Sequence, residues 1–178
     1  MKFLIASDIH GSSFYARKLI EIFKKEGADK LILLGDVYNH GPRNPLPEEY
    51  APMQVAELLN GVKDKLLVIK GNCDSAVDTM ISEFDFIENA VVISSDKTIF
   101  LTHGHVFNKD QMPKTEFDAV IYGHFHTGFI ERKGKTVVAN AGSLSLPKND
   151  TANSYIILEE GVITLKDLYK NVIKKVEI

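Results

Sequence analysis

The sequence predicts a single α/β domain that opens on a parallel sheet and closes on β hairpins. Three observations predict it. Up to residue 70, short apolar runs alternate with helical stretches, the pattern of strands joined by crossover helices. Beyond residue 90 the apolar runs follow one another across short polar turns, the pattern of hairpins. No repeat, linker or low-complexity segment interrupts the chain, and 178 residues suit one domain, residues 1–178.

Each element follows from its residues. KFLIAS at the start is a short apolar run that stops at Asp8. Ser12 or Ser13 can cap a helix carrying Leu19, Ile20, Ile22 and Phe23 on one face, with Gly27 as its stop. LILL (31–34) reads as a second buried strand, ending in Gly35-Asp36. The stretch YNHGPRNPLPEEYAP reads as an ordered loop, and a helix from about Met53 to Leu59 closes at Asn60-Gly61. LLVI (66–69) is a third strand, ending in Lys70-Gly71-Asn72. AVVIS (90–94) and TIFLT (98–102) flank a turn at Ser95-Asp96-Lys97. VIY (120–122) leads into YGHFHTG. GFIER and KTVVA flank Lys133-Gly134, and SYIIL and VITLKDL flank Glu159-Glu160-Gly161, two further hairpin signals.

Composition excludes several functions. A chain of this size buries roughly 70% of its unfolded surface and needs no staples. One cysteine, Cys73, forbids an internal disulfide and fits a reducing, cytoplasmic compartment. The apolar start is too short for a signal segment, and no run reaches the length of a membrane span. A net charge of −3, with both signs mixed along the chain, argues against stable nucleic-acid binding.

Chemistry collects where the strands end. The first gives SDIHG, with Asp8 and His10; the second GDVYNHG, with Asp36; the third GNCD, with Asn72. TIFLT gives THGH, with His103, and VIY gives GHFH, with His124 and His126. Ligands of open α/β sheets bind beyond the carboxyl ends of the strands. Two carboxylates, one amide and four imidazoles form a nitrogen and oxygen donor set suited to Mn, Fe, Co, Ni or Zn. Seven ligands exceed the needs of one such ion and fit two, roughly 3.5–4 Å apart, sharing one carboxylate. Asp36, alone on the middle strand, is the best bridge. Two divalent ions, less two carboxylates and a bridging hydroxide, leave a site that wants an anion. The hydroxide is then the nucleophile for a phosphoryl centre. Taken singly, a histidine is more often structural than a ligand, an aspartate after a strand is often a helix cap, and Asn72 could be a turn residue. All six histidines nevertheless lie in or beside these motifs.

The ordered set D-x-H, G-D, G-N, H-G-H and G-H-x-H resembles the calcineurin-like metallophosphoesterase superfamily over nearly the whole chain, and GDVYNHGPRNPLP with GNCD resembles its small bacterial and archaeal phosphodiesterases. The resemblance implies two packed mixed β-sheets flanked by helices, an αββα sandwich. It implies one ion on Asp8, His10, Asp36 and His126 and a second on Asp36, Asn72, His103 and His124, with manganese first and nickel, cobalt, iron or zinc as alternatives. It implies a small phosphodiester substrate and a homo-oligomer, dimer or tetramer. A phosphomonoesterase and a non-catalytic interaction scaffold of the same fold are the competing expectations. Cys73 stands where many members have a histidine that protonates the leaving group, and it is expected on the substrate side. His40 is a substitute acid, and His105 an outer ligand or phosphate contact. NAGSLSLPK resembles the family's N-P-G-S-x-x-x-P-R stretch, with Ala141 for the proline and Lys148 for the arginine. Arg43 and Lys148 are the loop cations considered for phosphate contact, although a solvated or loop-locking charge is the simpler reading of each.

Overall fold

The computed structural model describes residues 1–178. Strand β1 (Lys2–Ala6) leads into helix α1 (Ser13–Glu26). The Ser12 hydroxyl caps that helix by accepting from the Tyr15 N–H at 3.3 Å, and Gly27 ends it in the left-handed conformation. Strand β2 (Lys30–Leu33) follows, then helix α2 (Pro52–Asn60), which carries its proline in the first turn, where no N–H is needed. Strand β3 is Leu66–Ile69 and β4 is Phe86–Ile87. Then come β5 (Ala90–Ser94), β6 (Lys97–Leu101), β7 (Ala119–Tyr122), β8 (Phe129–Lys133) and β9 (Thr136–Asn140). The chain closes on β10 (Ser154–Glu159), β11 (Val162–Asp167) and β12 (Val172–Glu177).

These strands make two mixed sheets. The first has seven strands in the order β12-β11-β10-β1-β2-β3-β4; the second has five, β5-β6-β7-β9-β8. The run β1-β2-β3-β4 is parallel, and β10, β11 and β12 extend it antiparallel. In the second sheet β6, β7 and β9 run parallel, flanked by antiparallel β5 and β8. Alternation along β1 explains the stacking: Leu4 and Ala6 face the helices, while Phe3 and Ile5 face the second sheet. Helix α1 lays Leu19, Ile20, Ile22 and Phe23 on the first sheet, and α2 adds Val55, Ala56 and Leu59. Between the sheets Ile32, Leu34 and Ile69 meet Ile99, Leu101, Ile121 and Val137. Each such side chain, fully buried, contributes about 1.5–3 kcal/mol relative to exposure.

Both α-helices pack on the outer face of the first sheet. On the outer face of the second, Phe107, Met112 and Phe117 of the connection from β6 to β7 cover Phe100, Val120, Tyr122 and Val138. Strands β4 and β12 are additions to the elements read from sequence. No helix is long and apolar enough to cross a membrane.

Candidate metal centre

Because β1, β2 and β3 are parallel, their carboxyl ends share one edge, and β6 and β7 end beside them in the second sheet. All seven donor residues therefore arrive at one place. Five of them, Asp8, His10, Asp36, His124 and His126, hold left-handed backbone conformations, with φ between 50° and 64°. Such conformations cost a non-glycine residue about 1–3 kcal/mol and persist where the surroundings impose them. At His124 the turn is tightest: the Phe125 N–H donates to the Gly123 carbonyl at 2.7 Å, closing a three-residue turn. Gly123 has to be glycine, since a Cβ there would lie 1.9 Å from Ser7 Oγ and 2.6 Å from Asp8 Oδ2.

Backbone carbonyls fix the histidine tautomers. His10 Nδ1 donates to the Asn39 carbonyl at 2.7 Å, His126 Nδ1 to that of Leu146 at 2.7 Å, and His103 Nδ1 to that of Leu34 at 2.6 Å. In the neutral ring each Nε2 is then left with a lone pair. Those of His10 and His126 face each other at 3.1 Å, and that of His103 faces Asn72 Oδ1 at 3.0 Å and His124 Nδ1 at 3.2 Å. Asp8 Oδ1 lies 3.2 Å from His126 Nε2 and 3.5 Å from His10 Nε2, buried without a hydrogen-bond donor. Lone pairs aimed at lone pairs repel unless a cation stands among them, so the donor set fits divalent metal ions. Three overlapping groups of donors result, Asp8–His10–His126, Asp36–His103–His124 and, between them, His10–Asp36–Cys73.

Asp36 lies between the groups. Its Oδ2 is 3.7 Å from His10 Nε2 and its Oδ1 3.5 Å from His103 Nε2. Burial opposes charge on His103, but Asp36 and Asp8 outweigh it and hold its pKa up to about 9; His10 is raised in the same way. Burial and the charge of His103 push His124 down to about 4, so it is a neutral imidazole. Against the opposing effect of burial, His10, His126 and His103 hold the Asp8 carboxyl below its ordinary range, and His103 with the Cys73 N–H does the same for Asp36. Without cations, protons on imidazole balance the two carboxylates.

A further set of residues, which the sequence reading passed over, holds the donors in place. The Asp74 carboxylate accepts from the backbone N–H groups of Asp36 (2.8 Å), Val37 (2.8 Å) and Gly71 (2.7 Å), tying the ends of β2 and β3 together. Burial pushes its pKa up to about 6 despite these donors. Ser143 and Ser145 both donate to the Asp8 carbonyl, at 2.8 and 3.1 Å. Their segment is NAGSLSLPK, which also supplies the carbonyl that orients His126. Asp74 was legible only as part of a turn-like GNCD, since nothing in its spacing announces three backbone donors.

A cleft of about 760 Å³ opens over the donors, lined by Asp36, Asn72, His124 and His126 together with Cys73, Arg43, Lys148 and Phe125. Cys73 stands on the wall of this cleft. Burial and the Asp36 carboxylate push its thiol up to about 12, which leaves it protonated at neutral pH. His40 is not among the residues that line the cleft. Its ring stands edge-on to Tyr50 with centroids 5.3 Å apart, and the cleft wall is made by its neighbours Asn39 and Gly41. Within that loop Asn39 Oδ1 accepts from the Gly41 N–H, the His40 carbonyl accepts from Asn44, and His40 Nδ1 is buried without a hydrogen-bond partner. His105 is exposed beside the second group, 5.4 Å from His103 and 6.2 Å from His124 between ring centroids.

Comparison with known proteins agrees with this geometry. Residues 1–161 match the family model described as the calcineurin-like phosphoesterase superfamily domain. The chain is 43% identical over 167 residues to phosphodiesterase YfcE of Escherichia coli K12, covering 93% of this chain and 91% of that protein. It is 27% identical over 151 residues to phosphodiesterase MJ0936 of Methanocaldococcus jannaschii, covering 80% and 83%. The solved structure of the E. coli phosphoesterase superposes with a TM-score of 0.96 at 41% identity, over 100% of both chains. Vacuolar protein sorting 29 of Cryptosporidium parvum shares the fold, with a TM-score of 0.67 at 19% identity over 99% of this chain and 98% of that one. The chain belongs to the calcineurin-like phosphoesterase superfamily and is a metal-dependent phosphoesterase.

Proposed function

We propose that the protein is a dinuclear-metal phosphodiesterase acting on a small phosphodiester. The observation that carries this reading is Asp36, whose two carboxylate oxygens face separate donor groups. Asp8, His10, Asp36 and His126 would hold one ion, and Asp36, Asn72, His103 and His124 the other, with manganese as the first choice. Bound there, the ions supply Lewis acidity, lowering the pKa of a water toward 7 and neutralising phosphoryl oxygens. The chain's own residues do the rest. Carbonyls of Asn39, Leu34 and Leu146 keep the Nε2 lone pairs of His10, His103 and His126 aimed inward. Arg43 and Lys148 set positive charge on the cleft wall, where an anionic diester enters. The diester preference is supported by the relatives named phosphodiesterase. A cytoplasmic homo-oligomer is part of the same reading.

The test is to strip the protein with chelator, restore Mn²⁺, and compare hydrolysis of bis(p-nitrophenyl) phosphate with p-nitrophenyl phosphate. Metal-dependent cleavage favouring the diester is the expected result. A preference for the monoester keeps the site and changes the substrate class. No turnover of either with Mn, Ni, Co or Zn would put a non-catalytic scaffold first.

A further inference from the structure

Phe125 is the one residue between the two histidines of the G-H-F-H turn, and it has no donor atom to offer. Its side chain is 45% exposed and lines the cleft, whose other aromatic rings are the donor imidazoles His124 and His126. It is not a loose surface group. Its backbone N–H closes the tight turn on Gly123, and its ring makes T-shaped contacts with Tyr122, with centroids 6.0 Å apart, and with His124, at 5.0 Å. Tyr122 is itself buried, and its hydroxyl accepts from the Lys109 N–H at 3.2 Å. The two T-shaped contacts hold the ring in place while part of it stays exposed along the cleft. An open phenyl surface in a polar cleft is unfavourable until something apolar covers it. A flat ring bearing an anionic phosphoryl group meets both demands of the wall: the ring for Phe125, the anion for Arg43, Lys148 and the donor site.

Building on the phosphodiesterase reading, we infer that Phe125 is a stacking platform for a planar aromatic ring carried by the substrate, so that the site selects aromatic over aliphatic phosphodiesters. Aryl and nucleobase rings share this chemistry.

Binding decides it without turnover. Phenylphosphonate and methylphosphonate differ in the ring alone, and neither has an ester to lose. In calorimetric titration of the manganese-loaded protein, phenylphosphonate is expected to bind about 5-fold or more tightly than methylphosphonate. Phe125→Leu brings that ratio near one, and Phe125→Tyr keeps it. Equal affinity in the wild type, no measurable binding of either, or a ratio that survives in Phe125→Leu overturns the inference. A failure of the phosphodiesterase reading is seen separately, as absence of turnover. The source of the ring follows from KM for three esters of one leaving group: methyl p-nitrophenyl phosphate, bis(p-nitrophenyl) phosphate and thymidine 5′-(p-nitrophenyl phosphate). A Phe125-dependent advantage of the bis-aryl ester supports an aryl ring, and one of the thymidine ester a nucleobase. A Phe125-dependent KM common to all three puts the departing ring on the platform. KM values indifferent to Phe125 in all three count against it.

Discussion

Asp36 is asked to face two ways, and that demand can be tested one atom at a time. Asp36→Asn preserves the side-chain shape but removes the charge that two donor groups share. We expect elemental analysis to find fewer than two ions per chain and kcat for the diester to fall roughly 100-fold or more. Full ion content with full activity would remove Asp36 from its bridging role. Protons give a second handle at this scale. His103 is held up to about 9, so it carries a proton near neutrality in the ion-free protein, and His10 is shifted in the same direction by Asp8. A protonated imidazole cannot ligate, so metal affinity should climb as pH rises toward about 9. Chelator competition from pH 6 to pH 9 measures this, and a flat profile would refute it.

Elements hold the site through contacts that never touch it. Glu26 ends α1 and pins the helix to the first sheet: its carboxylate accepts from Tyr155 of β10 and Lys166 of β11, both at 2.9 Å, and from Lys2 of β1 at 3.4 Å. Burial opposes its charge, but Lys166, Tyr155 and Lys2 together hold its pKa below the ordinary value. That depressed pKa means the contribution to stability is present above the unfolded carboxyl's pKa of about 4.3 and is lost as pH falls through the folded one. Glu26→Gln should therefore cost roughly 1–3 kcal/mol in urea denaturation at pH 7 and much less near pH 3. At the end of β7, Gly123→Ala drives a methyl into Ser7 and Asp8 and should cost roughly 1–3 kcal/mol, with ion content falling alongside. Much of this architecture was legible. The strand-end motifs picked out the seven residues that the fold brings to one edge, because polar side chains concentrate there, and the caps at Ser12 and Gly27 stand where the helix pattern starts and stops. Strand β12, VIKKVE, was hidden because it is an exposed edge without clean alternation, and β4 because it has two residues. That β10 would lie beside β1 has no local signature, since a pairing across more than 150 residues is decided by the whole core. Phe125 passed unread because a ring inside a motif of donors looks like spacing.

At the scale of the whole molecule, ions held by the folded state and not by the unfolded chain stabilise the fold. Each ion at about a hundred times its dissociation constant contributes about 2.7 kcal/mol, which for a chain of this length raises Tm by roughly 5–10 °C per ion. Chelator should lower Tm by that amount and added Mn²⁺ restore it; a Tm blind to both would sink the metal reading. The five left-handed turns at the rim of the sheets carry one more consequence. Their contortion is of use only while the ligands serve an ion. A lineage that abandoned the chemistry would gain by letting glycine or asparagine drift into those positions and easing the chain. Descent with loss of activity would then be written first in the backbone's preferences, ahead of any change in the packed sheets beneath.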